Sequence, residues 1–391
     1  MTDGLIYLDF HATTPCDPRV LAVMLPWFTE AYGNAHSVEH AMGRVAEAAV
    51  AEARAEVAAL IGAEPREIVF TSGATEANNL AILGAARHAA RFGDGTRRRV
   101  VSVATEHECV LGAVRALADE GFEPVILPVD GEGLLDPAVL AEALRVPTLL
   151  VSVMSVNNET GVVQDIAALA ALARAAGALF HTDAAQAAGR VPLRVDGIDL
   201  LSLSGHKIYG PKGIGALYVR RRPRVRLAPL MRGGGQERGV RPGTLPVPLI
   251  VGFGVACRLA AAELTAEAKR LGALRDAMLA ELAAALPGLR VNGSLSRRVP
   301  GNLNVTLPAT DAQALMRALP ELCLSSGSAC SSAEIAPSHV LRAMGLSEDA
   351  ARRSLRVGLG RTTSARDVAR AVAAMTSIVP TLAGETSAAP A

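Results

Sequence analysis

Between residues 68 and 204 the chain repeats one pattern: an apolar run of strand length, a cluster of small or polar residues, then a segment of helical spacing. Ile68-Val-Phe-Thr71 gives way to Ser-Gly-Ala-Thr-Glu76, Val100-Val-Ser-Val103 to Ala-Thr-Glu-His-Glu-Cys109, and Thr148-Leu-Leu-Val-Ser-Val-Met154 to Ser-Val-Asn-Asn-Glu-Thr-Gly161. Ala178-Leu-Phe-His-Thr-Asp183 stops at Ala-Ala-Gln186 in the same way. Continuous apolar strands are buried on both sheet faces. Strands alternating with helices make an open, mostly parallel α/β sheet whose ligand lies outside the strands' carboxyl ends. The four polar clusters should therefore converge on one edge.

Asp199-Leu-Leu-Ser-Leu-Ser204 and Gly215-Ala-Leu-Tyr-Val-Arg220 bracket the segment Gly205-His-Lys-Ile-Tyr-Gly-Pro-Lys-Gly213, placing Lys207 in a loop at that edge. Lysine is rare here: Lys207, Lys212 and Lys269 are the only three, and arginine makes up the other 36 of the 39 basic residues. A lysine kept among so many arginines points to an amine that can lose its proton and condense with an aldehyde, which guanidinium cannot do. Lys269 falls in an amphipathic Ala/Glu/Arg helix and reads as a solvated charge.

Elsewhere the elements are ordinary. Asp17-Pro18 starts a helix through Trp27, Tyr32 to Ser37 is a polar turn containing Asn34 and His36, and residues 38–61 form a helix closed by Gly62. Helices are expected over 248–264 and 266–286. The later part contains strands at 302–307, 322–326 and 353–361 and helices at 311–319 and 338–344. A length of 391 residues suggests two or three units: a large domain over 15–260, a small one from 1–14 and 261–378 with a loop at 325–335, and a flexible tail at 379–391.

Composition removes several function classes. Thirty-nine basic residues balance 38 acidic ones, which argues against polyanion or nucleic-acid binding. No apolar run approaches the ~20 residues of a membrane span and no signal peptide opens the chain, so a cytoplasmic protein is expected. Five cysteines form neither a C-x-x-C pair nor a zinc spacing with the histidines. The arginine run at 220–226 reads as a solvated edge, with an acidic partner as the alternative. Cys330 stands apart, in a Gly/Ser loop that favours exposure and reactivity.

A Schiff-base lysine, a strand-ending aspartate and a helix start with free N–H groups are together what pyridoxal 5′-phosphate requires of a protein. Lys207 would take the aldehyde and Asp183 would keep the ring nitrogen protonated. The turn at Gly73, Ala74 and Thr75 would cradle the phosphate with Ser204 and His206. His107 would stack on the ring and Gln186 reach its phenolic oxygen.

Several motifs carry a closer likeness: Ala12-Thr-Thr-Pro15, Thr71-Ser-Gly-Ala-Thr-Glu76, Val156-Asn-Asn-Glu159, Ser204-Gly-His-Lys-Ile-Tyr-Gly-Pro-Lys-Gly213, Gly233-Gly-Gly-Gln-Glu-Arg238 and Ser325-Ser-Gly-Ser-Ala-Cys330. Over residues 6 to 375 the chain resembles the cysteine desulfurases, in the class V aminotransferase group of fold-type I enzymes, and within them the subclass with a long cysteine loop. The resemblance implies that Lys207 holds the cofactor and moves protons, that Thr75, Ser204 and His206 bind its phosphate, and that Asn158 also lines the cofactor. It implies that Thr244 reaches the phosphate of a neighbouring subunit, hence a homodimer. Asn158, Arg356 and Asn34 would hold the carboxylate of L-cysteine, with His107 as acid or base on its thiol. Cys330 would take the sulfur as a persulfide and release alanine, then pass the sulfur to an acceptor such as an iron–sulfur scaffold protein. No resident metal is expected, with Cys330 a candidate transient iron–sulfur ligand. The Ala/Pro/Ser-rich end differs from the tail some members use to grip a scaffold. A selenocysteine lyase or class V aminotransferase would share the cofactor residues, and a carrier with a vestigial site would make no alanine. Cys109 lies outside the family pattern and reads as helix packing.

Overall fold

A computed structural model describes residues 4–326 and 337–388, so Cys330 lies outside the described residues. The largest sheet has seven strands in the order Ile68–Thr71, Gly215–Val219, Leu200–Ser204, Leu179–Asp183, Thr148–Ser152, Arg99–Val103, Glu123–Leu127. Gly215–Val219 runs antiparallel to both neighbours and every other neighbouring pair is parallel. The carboxyl ends of six strands therefore share an edge, and the lysine loop returns over it.

The strands are apolar throughout because both faces are covered. Phe70, Val101, Val151 and Leu201 face one way, into a core built with Val50, Val57 and Ile61 of helix Ala41–Ile61 and with Ile250, Phe253 and Ala256. Their neighbours Val69, Val100, Leu150 and Leu200 face the other way, onto Leu80, Ala81 and Ala85 of helix Ala74–Phe92 and onto Val110 and Val114. The period-two alternation of a strand assigns these residues to opposite layers.

Helix starts obey their caps. Asp17, Asp136 and Asp165 accept the backbone N–H of Arg19, Ala138 and Ala168, and Gly62, at φ 69°, ends Ala41–Ile61. The chain at 247–285 differs from expectation. One uninterrupted helix of 39 residues, Val247–Ala285, stands where two were expected, because the junction Leu264-Thr-Ala266 contains neither proline nor glycine to stop it. This helix is long and apolar enough to span a bilayer by length and composition. Its first half instead buries Ile250, Phe253 and Cys257 in the main core, and its second half buries Leu271, Met278 and Leu282 in another.

That second core joins Ile6 and Leu8, from the start of the chain, to Leu303, Val305, Leu355 and Val357. It carries two small sheets: Ile6–Tyr7 lies parallel to Leu322–Cys323, and Asn302–Thr306 pairs antiparallel with Arg290–Val291 and Ser354–Gly358. The last helix, Ala365–Ala388, runs into the segment expected as tail from 379. Val379 is buried in the second core and its carbonyl accepts from the Thr310 hydroxyl at 3.2 Å, so apolar contact extends the helix beyond the point where composition turns tail-like.

Gly215 sets the distance between the lysine loop and the first helix of the sheet. A Cβ there would lie 2.4 Å from the Leu203 carbonyl oxygen and 2.7 Å from the Gly73 Cα, both backbone atoms that cannot move without parting the strands. Gly215→Ala should lower stability by about 1–3 kcal/mol, read as a reduced urea midpoint at unchanged m-value. An unchanged midpoint would show that the two backbones are not in close approach.

Candidate active site

Strand Leu200–Ser204 delivers Lys207 on a single 3₁₀ turn, Gly205–Lys207. The turn is pinned at several points. Gly205 N–H donates to the Ile214 carbonyl at 2.9 Å, and the Thr14 hydroxyl donates to the His206 carbonyl at 2.9 Å while accepting Tyr209 N–H at 2.8 Å. Lys207 Nζ donates to the carbonyls of His11 and Ala12 at 2.6 and 2.8 Å. Burial, then the positive charges of Arg190 and Arg356, push its pKa down from 10.5 to about 8, against the pull of Asp183 and Asp9. The free-amine fraction near neutral pH is thus far larger than for an ordinary lysine, and the free amine is the form that condenses with a carbonyl.

Asp183, the last residue of its strand, is buried and accepts two N–H donors: Asn78 Nδ2 at 2.7 Å on Oδ2 and Ala185 N–H at 2.8 Å on Oδ1. His107 is the N-cap of helix Glu108–Ala116, its Nδ1 accepting Cys109 N–H at 3.1 Å. Burial, Lys207 and His339 push its pKa down, against Asp183 and Glu108, so the ring is neutral at neutral pH. Glu106, just before it, is fully buried; Met154 N–H donates to its Oε1, and burial with the nearby Asp183 pushes its pKa well up.

Helix Ala74–Phe92 begins at Gly73, whose φ of 156° with ψ of −176° belongs to glycine alone. A Cβ on Gly73 would meet nothing within 4 Å, so space lies open before the first helical N–H groups, at Ala74 and Thr75. Ser204 is buried at the end of its strand. His206 Nδ1 contacts the Thr13 hydroxyl at 3.0 Å, and its pKa is pushed down to about 4 by burial and by Lys207, Lys212 and Arg190. Gln186 is engaged by His11, donating to its carbonyl at 2.8 Å and meeting Nδ1 with Oε1 at 3.1 Å.

The other expected residues separate. Arg356 is buried on strand Ser354–Gly358, with Nη2 on Asp9 at 2.7 Å and Nη1 on the Asn158 carbonyl at 3.0 Å. Its Nε and the Asn158 Oδ1 are buried without a protein partner, the condition of groups that await a ligand. Asn34 is exposed, and its Oδ1 accepts His36 N–H at 2.9 Å, so its side chain shapes the turn. Thr244 is exposed just before helix Val247–Ala285, and the described contacts do not join it to Lys207. Among the described residues no group of three or more His, Cys, Asp or Glu side chains could hold a metal.

Asn78, Asp9 and His11 escaped the sequence reading although they orient Asp183, Arg356 and Gln186. Asn78 offered a signal, being an amide on a helical face otherwise lined by Ala77, Leu80 and Ala81. The donor set as a whole fits pyridoxal phosphate: an amine freed near pH 8, a carboxylate fixed by N–H donors, an open helix start and unpartnered buried donor and acceptor atoms beside them.

Comparison with known proteins agrees with this chemistry. The class-V aminotransferase family matches residues 6–371. The chain is 56% identical over 365 residues to a cysteine desulfurase IscS from Anaeromyxobacter sp. strain Fw109-5, covering 93% of this chain and 89% of that protein. It is 50% identical to the human cysteine desulfurase, covering 93% and 79%. A solved NifS-like protein superposes with a TM-score of 0.89 at 32% identity, covering 97% of this chain and all of the other.

Lys207 should show its displaced titration directly. Labelling by an aldehyde with borohydride trapping should be low where the ammonium persists, rise with pH, and be half-maximal near 8 instead of 10.5. Arg356→Met removes a neighbouring positive charge and should move the midpoint upward. A midpoint that stays near the ordinary lysine value in the folded protein would contradict the burial argument.

Proposed function

We infer the reaction from the family and the site together: the chain belongs to the class-V aminotransferases and is a pyridoxal-phosphate-dependent cysteine desulfurase, converting L-cysteine to L-alanine. The observation that carries the reading within the site is a buried lysine whose pKa is pushed down to about 8, set on the same sheet edge as Asp183. When bound, the cofactor supplies an aldehyde for the substrate amine and a ring that holds the electrons left when the α proton departs.

The chain's own residues do the rest. Asp183 is held by Asn78 and Ala185 so that a carboxylate oxygen stands ready for a ring N–H. Helix start Ala74 and Thr75, with Ser204 and His206, offers N–H and hydroxyl donors to a phosphate. The substrate carboxylate would take the remaining Nε–H of Arg356. Asp9 and the Asn158 carbonyl already hold the two terminal nitrogens and fix the guanidinium plane. Asn158 Oδ1, an acceptor, suits the cofactor or the substrate amine better than a carboxylate. Lys207 Nζ, once displaced from the carbonyls of His11 and Ala12, takes the proton from the α carbon and later returns one to the product. His107 would act on the substrate thiol as acid or base.

Cys330 is the sulfur acceptor in this reading. Its thiolate attacks the substrate sulfur; an S–S bond forms, the substrate's Cβ–S bond breaks with its electron pair staying on carbon, and proton uptake there completes alanine. Cys330 is left as a persulfide, the carbon having been reduced and the sulfur oxidised. Transfer onward suits an iron–sulfur scaffold protein, since a close relative is an IscS. A homodimer, with Thr244 completing the partner's phosphate site, is supported by the exposure of Thr244. A cytoplasmic location belongs to the same reading, supported by the bacterial IscS relatives, while two other relatives are named mitochondrial.

The decisive assay measures alanine from L-cysteine with a reductant present. Wild type should bind pyridoxal phosphate and turn over. Lys207→Ala should lose turnover, and Cys330→Ala should lose about a hundredfold or more while keeping the cofactor. Full activity in Cys330→Ala would move the assignment to a lyase or aminotransferase, and a wild type that cannot take the cofactor would remove it altogether.

A further inference from the structure

Cys109 has no part in the reaction as set out, yet it lies between two groups that do. Its Sγ is 3.1 Å from His107 Nδ1 and 3.2 Å from Asn78 Nδ2, and the same Asn78 nitrogen donates to Asp183 Oδ2 at 2.7 Å. The direction of each bond follows from the hydrogens available. Cys109 backbone N–H donates to His107 Nδ1 at 3.1 Å, so Nδ1 presents its lone pair and carries no proton. A second group meeting that lone pair must itself donate, and the hydrogen the thiol can offer is S–H. The sulfur's lone pairs are then left to accept from Asn78, whose two amide hydrogens serve Cys109 and Asp183. The two Asn78 amide hydrogens, the Cys109 N–H and its S–H are thus each used once.

With Nδ1 gripped from the backbone and the side chain of one residue, the single proton of a neutral imidazole must sit on Nε2. We propose that Cys109 is a positioning residue that holds His107 as the Nε2–H tautomer and ties its ring plane, through Asn78, to Asp183. The consequence for catalysis rests on the desulfurase reading, in which His107 lies against the cofactor and works on the substrate thiol. The surroundings agree: burial and the negative charges of Asp183 and Glu106 keep the thiol protonated, pushing its pKa up to about 12 against hydrogen bonds from Asn78 and Thr75. The groups facing His107 are Asp183 and Glu108, which favour its charged form, and Lys207 and His339, which oppose it. The thiol is a neutral donor inserted among them.

The test reads the ring itself. Full-length protein labelled with ¹⁵N-histidine, with and without cofactor, would be compared as wild type, Cys109→Ser, Cys109→Ala and Cys109→Val, with the His107 signals assigned by their loss in His107→Gln. Wild type and the serine variant, which keeps a donor, should show protonated Nε2 and bare Nδ1. The alanine variant, or the valine variant if alanine does not fold, keeps only the backbone N–H on Nδ1 and should show a smaller Nε2–H fraction than wild type. Its His107 pKa should rise by about half a pH unit or more, the order expected for one lost hydrogen bond. A donorless variant that titrates within about 0.2 unit of wild type with its tautomer unchanged, or a serine variant that behaves as alanine does, overturns the proposal. Because the readout needs no turnover, it still decides the role of Cys109 if the wild type makes no alanine and the desulfurase reading fails.

Discussion

The site depends on keeping one amine out of water without leaving it unpartnered. An isolated ammonium in a dry interior is costly, and a protein lowers that cost by shifting the pKa or by supplying acceptors. Both are used here. Lys207 Nζ is capped by the carbonyls of His11 and Ala12, while Arg190 and Arg356 make the charged form less favourable. Carbonyls are neutral acceptors that release the amine without leaving a charge behind, which a carboxylate partner would not do. The lysine can therefore be stable at rest and still available.

Those two carbonyls belong to a segment that links both cores. Ile6 and Leu8 are buried in the second core, whereas Thr14, six residues beyond Leu8, clamps the lysine turn of the main sheet through His206 and Tyr209. Arg356 does the same from the other side. It stands on a strand of the small sheet, pairs with Asp9 and reaches the Asn158 carbonyl in the turn after a central strand. Helix Val247–Ala285 joins the cores covalently, but these two polar contacts set how they meet over the lysine. Removing Asp9 would leave the buried Arg356 guanidinium without its carboxylate, with a cost of up to about 3–5 kcal/mol. Part of the site's geometry is thus held by residues such as Thr14 and Asp9 that need never touch a substrate.

The parallel sheet was legible in the sequence because apolar runs of four to seven residues, each ending in polar residues, have few other uses. Lys207 was legible by its rarity, and Asp183, His107 and Ser204 by their places at strand ends. What escaped was of two kinds. Helix limits depended on packing: nothing local distinguishes a break at 265 from continuity, and the terminal helix persists because Val379 finds a core. The supporting partners escaped because their roles are relational. Asn78, Asp9 and His11 matter through atoms more than a hundred residues away, and no spacing rule connects them.

Asn34 shows how a local bond competes with a site role. A polar residue in a glycine-containing turn is compatible with substrate binding and with turn chemistry, and its Oδ1 accepts the His36 N–H two residues on. That local bond competes directly with any ligand for the same oxygen. Asn158 presents the opposite case: its Oδ1 is buried and has no protein partner, while the neighbouring Asn157 closes the local turn by accepting from Glu159 and Thr160. One asparagine of an adjacent pair satisfies the backbone, which leaves the Oδ1 of the other without a protein partner. The division of labour within Asn157-Asn158 is therefore the better guide to ligand contact than the presence of an asparagine at the edge.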